Sequence, residues 1–286
     1  RYRNVDVVAC AVDEALSAVL SHDCWQDRPI EKNLDSVFKM LMQFERTTFQ
    51  NCCAAAMYWV DFWSETKDIS KYNIAIVFSG SYIYGKALME VLRYTKVRCF
   101  VCESFFTGFD FYLEERNSPV ANSSRINRIN YYDSISNDIS TQRDRYNRDK
   151  VRAFNKIRSS RNKNVSQPGV RVIPVDLRDF NVHLVVGQVV NDFSLISGKG
   201  SVLSSMPVYK GIILSLLQKS DSFIVFKSHP WEMKKNNLER SYTMDALSLW
   251  VSSLDEGLRR RILIVDDWNL RQLFQVANYV ITLCSQ

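Results

Sequence analysis

The chain has 286 residues, of which 46% are hydrophobic and 24% charged, with a formal net charge of +6 at pH 7. This is a globular composition with enough apolar material for a sizeable core, which excludes a disordered or fibrous chain, and the length suggests two domains. No apolar run reaches the ~18–20 residues of a membrane helix; the nearest, Cys52–Val60, is broken by Asp61.

Residues 1–70 read mainly as helix. The stretch LDSVFKMLMQFERTTF has apolar residues near helical spacing, with Asp13 and Asn33 as candidate caps. Strand–helix–strand alternation begins at YNIAIVFSG (72–80) and runs through SYIYGKALMEVLRYTK to VRCFVCES (97–104). A polar stretch over 117–170 ends in the turn signal SQPG (166–169). Alternation then resumes with VHLVVGQV (182–189), a helix within 205–219, FIVFKS (223–228), RILIVDD (261–267), a helix around WNLRQLFQVAN, and YVITLC (279–284). Apolar runs spaced this way predict βαβ units with parallel strands covered on both faces. The expected fold is α/β and GT-B-like: two Rossmann-like domains facing a central cleft, residues 1–175 with a helical N-terminal region and residues 176–286. A last strand that ends without its following helix predicts that the natural protein continues past Gln286.

Seven cysteines, an odd number with Cys52 and Cys53 adjacent, predict reduced thiols. With no signal peptide at the start of the chain, this points to a cytoplasmic protein. The lone C-x-x-C of Cys99 and Cys102 lies inside a strand and lacks the two further ligands a zinc site needs. The positive charge is local, because residues 141–163 hold nine Lys or Arg against two Asp. That segment, with Val151, Phe154 and Ile157 on one side of a candidate helix, is either a solvated amphipathic stretch or a contact with an anionic membrane surface. Nucleic acid is not expected, because no binding motif is present and the segment is poor in aromatics.

The chemistry-bearing residues fall at predicted strand ends, where open α/β sheets bind ligands. Gly80-SYIY-Gly85-Lys86-Ala87 nearly matches a P-loop, but Ala87 lacks the hydroxyl for Mg²⁺ and the tyrosines are bulky for a phosphate cradle. The turn, with Gly80 and Lys86, keeps a role in holding substrate. Glu103 ends a strand as a candidate base or a solvated acid. In Gly187-Gln188-Val189-Val190-Asn191-Asp192-Phe193-Ser194, Asp192 is either a nucleophile or an Asx cap. Ser197–Ser201 reads as a flexible connector or a closing loop. The strand FIVFKS stops on His229-Pro230, where the imidazole, Lys227 and the next N–H groups suit a phosphate, against a purely structural His. Ser285 follows the last strand as a further phosphate donor. No Asp-x-Asp pair marks a metal site, so metal independence is expected.

Taken in order, VFSGSYIYGKA, FVCESFFTG, VVGQVVNDFS, FKSHP and TLCSQ resemble the bacterial CMP-Kdo-dependent retaining β-Kdo transferases of the WbbB type, with the capsule β-Kdo transferases as more distant relatives. The resemblance runs from about residue 72 to the end. Ser228 stands where the family has Pro, and the family's last Gly and Glu are absent. It implies transfer of β-Kdo from CMP-β-Kdo to a sugar hydroxyl of a lipid-linked O-polysaccharide, at the inner face of the bacterial inner membrane. It implies Asp192 as nucleophile and Glu103 as base or acceptor-orienting group, and the donor bound by Gln188, Lys227, His229, Pro230 and Ser285, with CMP as product and no metal. The rival readings are another CMP-sugar transferase of the sialyltransferase kind, a P-loop-like nucleotide enzyme on Gly80–Lys86, and a non-catalytic polysaccharide-binding module.

Overall fold

The computed structural model describes residues 1–26, 30–104, 111–118, 124, 169, 177, 179–197, 203–236 and 241–283. They belong to two compact units that are not consecutive in sequence. Unit 1 takes its residues from Arg1–Val19, Lys32–Ser160 and Ile196–Ser201, and unit 2 from Leu20–Glu31, Arg161–Leu195 and Val202–Gln286. Each unit thus includes a short piece from the other's side of the expected boundary. Ile30 O accepts from Leu203 N at 3.1 Å, and Trp25 O from Ser204 Oγ at 2.8 Å, so 20–31 joins unit 2. Ser197 Oγ donates to Asp13 Oδ2 at 3.0 Å within unit 1.

Unit 1 begins with helix α1 (Val7–Val19), α2 (Leu34–Phe44) and α3 (Arg46–Glu65). Asn33 caps α2 as expected, accepting from Ser36 N at 2.8 Å. Asp13 does not cap: it lies inside α1, and Asp6 Oδ1 instead accepts from Ala9 N at 3.0 Å at that helix's start. Ala11, Ala15 and Ala56 are wholly buried, which lets α1 and α3 pack closely. Strand β1 (Ile74–Phe78), helix α4 (Ile83–Val91) and strand β2 (Arg98–Ser104) form the first βαβ unit, with β1 and β2 parallel. Strand β3 (Phe111–Glu115) then adds antiparallel to β2, pairing Glu103 with Tyr112 and Val101 with Glu114. The expectation of strands covered on both faces fails in this unit. In β1, Val77 is buried while Ile74, Ile76 and Phe78 are exposed.

Unit 2 meets that expectation in its two central strands, whereas Tyr279 and Val280 of an edge strand are exposed. Strand β4 (Asn181–Val186), α5 (Ser205–Leu217), β5 (Ser222–Lys227), α6 (Tyr242–Ser252), β6 (Ile262–Val265), α7 (Leu270–Val276) and β7 (Tyr279–Thr282) alternate. All four strands are parallel, in the order β6-β5-β4-β7. Alternate residues feed two cores. Val185, Ile224 and Phe226 pack with Met206, Tyr209, Ile213 and Leu247 on one face. Val182, Leu184, Phe223 and Val225 pack with Trp268 and Leu273 on the other. Full burial of each such large apolar side chain stabilises by about 1.5–3 kcal/mol, so the strand ends rest on a rigid base. Ser241 and Asn269 cap α6 and α7. Among the described residues no helix is long and apolar enough to cross a membrane.

Candidate functional site

In unit 1 the turn from β1 to α4 is tight. Ser79 and Gly80 both have positive φ, 64° and 65°, and Ser79 N donates to Cys102 O at 2.9 Å. A Cβ on Gly80 would lie 3.2 Å from both Val101 methyls, so glycine is required by conformation and by space. The turn is not a phosphate cradle. Glu14 Oε2 accepts from Ile83 N at 2.8 Å, so a carboxylate already holds the start of α4. Lys86 Nζ is paired with Asp13 Oδ2 at 2.5 Å. A nucleotide phosphate at this turn would face two acids, and the P-loop reading falls on that ground.

Gly80 and Lys86 do line a pocket of about 480 Å³ within unit 1, together with Asp6, Glu90, Arg93 and Tyr94. Its size suits a small polar ligand. Cys10 also lines it, but burial pushes that thiol up to about 11, so it stays protonated and is not a nucleophile. Cys99 and Cys102 are three apart on β2 and so point to opposite faces, and the described cysteines are all free thiols.

Glu103 sits one residue from the end of β2 and is buried. Its Oε1 accepts from Ser118 Oγ at 3.3 Å. It shares a face with Tyr112, whose hydroxyl pairs with Ser124 Oγ at 2.5 Å. It is therefore a buried, hydrogen-bonded side chain, not a solvated strand-end acid.

In unit 2 the strand order reverses direction between β4 and β7, because the chain builds outward from β4 through β5 to β6 and then returns to the other side of β4. That is a topological switch point, and ligands of open α/β sheets bind outside the carboxyl ends of the flanking strands. The segment after β4 is Gly187–Asp192. A Cβ on Gly187 would come within 2.9 Å of Phe226 Cζ and 3.1 Å of Lys227 O, so only glycine lets β4 end this close to β5. Gln188 N donates to Tyr209 OH at 2.8 Å, and the Gln188 side chain folds back to accept from Val189 N at 3.0 Å.

Asp192 Oδ1 accepts from Ser194 N at 2.9 Å and from Ser194 Oγ at 2.6 Å, heading the short turn Phe193–Ile196. The Asx cap is thus formed. It fixes the carboxylate's orientation.

The segment after β5 carries His229. Trp231 N donates to His229 Nδ1 at 3.1 Å, which assigns the proton of the neutral ring to Nε2 and makes that atom the donor. Pro230 is half-buried beside it, and Lys234 Nζ lies 5.6 Å from the Trp231 ring centre. Lys227 differs from its expected role as an open cation. It is 4% exposed, and its ammonium donates to Ser228 O at 3.0 Å and to Asp266 O, tying the ends of β5 and β6. Burial holds its pKa below the ordinary value, against the pull of Asp266 and Asp267. Glu232 lies just beyond, fully buried, with Oε2 accepting from Thr243 N at 3.2 Å, from Thr243 Oγ1 at 2.8 Å and from Ser241 Oγ.

Ser285 and the basic stretch 141–163 lie outside the described residues, as does all of 197–201 except Ser197. Among the described residues no group of three or more His, Cys, Asp or Glu is placed to hold a metal ion. Sequence reasoning missed Asp13 and Glu14 as partners of the β1–α4 turn, Tyr209 as a prop for Gln188, and Glu232. All but Glu232 act across 21 to 73 positions of chain, which no local pattern announces.

No family model and no curated protein matches the chain. Among solved structures it is similar to Thermosulfurimonas dismutans KpsC, a β-Kdo 2,4 transferase, with a TM-score of 0.41 and 14% identity, over 74% of this chain. The match spans 63% of that KpsC chain. At this distance the likeness carries no residue role and no activity.

Proposed function

We propose that the chain is a glycosyltransferase using a CMP-activated sugar, in its fullest form a retaining transferase that moves β-Kdo from CMP-β-Kdo to a sugar hydroxyl of a bacterial surface polysaccharide. One observation carries the nucleotide half of this reading: the β4/β7 switch point of unit 2, flanked by the Gly187–Asp192 turn and neighboured by the imidazole after β5. The residues after β4 and β5, not the KpsC likeness, carry it.

The chemistry runs in two displacements. Asp192 attacks the anomeric carbon as the bond to the CMP phosphate oxygen breaks, giving a glycosyl-enzyme ester. His229 Nε2–H and the backbone N–H groups of its turn stabilise the charge growing on the departing phosphate, with Ser285 assigned to the same group. Pro230 fixes the turn, and Lys227 acts behind it by holding the β5 and β6 ends together. Gln188 positions the segment that presents Asp192. An acceptor hydroxyl then displaces the carboxylate, with Glu103 as the group that takes its proton or orients it, and Gly80 and Lys86 on the acceptor side. Two inversions give retention. A GT-B-like pairing of the units, independence from metal, and work at the inner face of the inner membrane belong to the same proposal.

The test is thermal-shift screening with CMP, UDP, GDP and ATP-Mg²⁺, followed by transfer assays with CMP-Kdo and a CMP-sialic acid control. CMP alone should stabilise the protein. Asn is near-isosteric with Asp and caps as well, so Asp192→Asn should keep the fold and the CMP response while transfer falls by about 10³-fold or more. His229→Ala should weaken CMP binding. Stabilisation by ATP but not CMP, or near-normal turnover in Asp192→Asn, overturns the assignment.

A further inference from the structure

Unit 1 carries a patch of aromatic rings that the proposed reaction has not used. Helix α3 presents Tyr58, Trp59, Phe62 and Trp63, which at spacings of one, four and five fall on one side of a helix. The start of α4 adds Tyr82 and Tyr84. The six rings form one contiguous set. Trp59 and Trp63 stack at 5.8 Å and 26°, and Tyr82 and Tyr84 at 5.8 Å and 9°. Tyr58 and Phe62 lie 6.5 Å apart at 24°, and Trp59 is 6.0 Å from Tyr84, joining the two elements. Trp63 Nε1 donates to Tyr84 O at 2.9 Å and fixes the helix against the turn. The two tryptophans are half-buried and form the base. Tyr58 is 62% exposed, Phe62 43%, and Tyr82 and Tyr84 40% each.

Leaving this much ring surface in water is unfavourable, and a contiguous exposed apolar patch marks an interaction site. Its chemistry selects among ligands. A single strand of nucleic acid needs aromatic rings along a positively charged groove. An anionic membrane needs a surplus of Lys and Arg around the apolar face. Among the described residues neither is placed beside the rings: the charges at that end of the helix are Asp61 and Glu65, and the nearby Arg3 is paired with both. Sugar rings present flat C–H faces with hydroxyls at the rim. Aromatic faces match the former, and phenolic hydroxyls and water match the latter. Rings locked against one another lose little entropy on binding.

We propose that this platform binds a glycan chain built of hexopyranose units. It rests on the proposed function for its occupant, the acceptor polysaccharide, because Tyr82 and Tyr84 lie within the Gly80–Lys86 turn assigned to the acceptor. The chain of sugars would run from that turn out along α3.

The probe is affinity gel electrophoresis of the full chain through gels containing mannan, galactan or dextran. Two double variants, Tyr58→Leu/Phe62→Leu and Tyr82→Leu/Tyr84→Leu, keep apolar bulk but remove the flat faces. All four positions are exposed, so the circular dichroism melting curve should be unchanged. Retardation of the parent protein by at least one polysaccharide, weakened about tenfold in each variant, is the expected result. No retardation by any of the three, equal retardation of parent and variants, or binding instead to phosphatidylglycerol vesicles overturns the platform. The CMP thermal shift in the same samples separates the two proposals. If it persists without glycan retardation, the platform alone fails. If it is absent while retardation is lost in the variants, the transferase reading fails and the platform stands as a polysaccharide-binding surface.

Discussion

Gly187→Ala tests the link between packing and the candidate donor site. The added methyl would sit 2.9 Å from Phe226 Cζ and 3.1 Å from Lys227 O. Neither neighbour can retreat cheaply. Phe226 is wholly buried and meets Tyr209 edge-on at 5.1 Å. The Tyr209 hydroxyl is the acceptor for Gln188 N, and Lys227 O accepts from Gly187 N at 2.8 Å. The β4 end must therefore move off β5, taking Gln188–Asp192 with it. Overpacking of this kind costs about 1–3 kcal/mol, set against a gain of about 0.4–1 kcal/mol from stiffening the unfolded chain. Gly211, on the exposed face of α5 with nothing within 4 Å of its added Cβ, is the matched control. Gly211→Ala should stabilise by about 0.5–1 kcal/mol. Urea unfolding followed by near-UV circular dichroism measures both, and the CMP thermal shift reads the displaced turn. The variants should differ by about 2 kcal/mol, with the CMP response reduced only in Gly187→Ala. If both variants are stabilised alike and respond to CMP alike, the close approach of β4 to β5 is not what shapes this edge.

Burial holds the Lys227 pKa down, so the folded state binds its proton less tightly than the unfolded chain. Relative to Lys227→Met, the parent protein should gain stability as pH rises from the depressed folded value to the ordinary lysine value, in paired urea titrations, and a flat difference refutes it. Glu232 has the opposite sign: burial raises its pKa against the hydrogen bonds from Ser241 and Thr243, with a weaker opposing pull from the Val190 amide. Relative to Glu232→Gln, the parent should lose stability as pH rises from the ordinary carboxylate value through the raised one, and a constant difference across pH 4–8 would show that the carboxyl ionises as freely as in water. His183→Phe should leave the CMP thermal shift intact. A loss as large as that of His229→Ala would move the nucleotide to the other end of the sheet.

Unit 2 was legible because its central strands β4 and β5 are covered on both faces. Such strands read as unbroken apolar runs, and Gly187 and the His229-Pro230 pair punctuate them where the structure ends β4 and β5. Unit 1 was only half legible. The run FYLEE of β3 alternates weakly and ends in two acids, so nothing marks it as a strand, and its antiparallel pairing with β2 is what encloses Glu103. The exchange of 20–31 and 196–201 between units depends on contacts such as Ser204 with Trp25 O, 179 positions apart. Lys86 read as a cation for substrate because Asp13, 73 positions earlier, leaves no trace in the motif around it. The ring platform did leave one: Tyr-Trp-x-x-Phe-Trp in α3 and Tyr-x-Tyr at α4 are aromatic-dense at helical spacing, a pattern equally expected of a core.

The sheet of unit 2 also shows how the end of a strand, more than the residue type, separates an oriented histidine at a strand's exit from one packed into the sheet. His183 and His229 lie in adjacent segments of the same parallel sheet, at opposite ends. At the amino end His183 is closed in: it stacks on Tyr279 at 5.0 Å, its Nε2 lies 3.3 Å from Ser222 Oγ, and burial pushes its pKa down so that it stays neutral. Parallel strands present their amino ends to incoming connections and leave their carboxyl ends to the turns before the helices. At the carboxyl end His229 is half-buried, its Nδ1 fixed by the backbone so that the proton sits on Nε2. One imidazole completes a packing arrangement, and the other is oriented as a donor just past the carboxyl end of β5. The physical difference is the direction of the sheet, and the candidate phosphate contact follows from it.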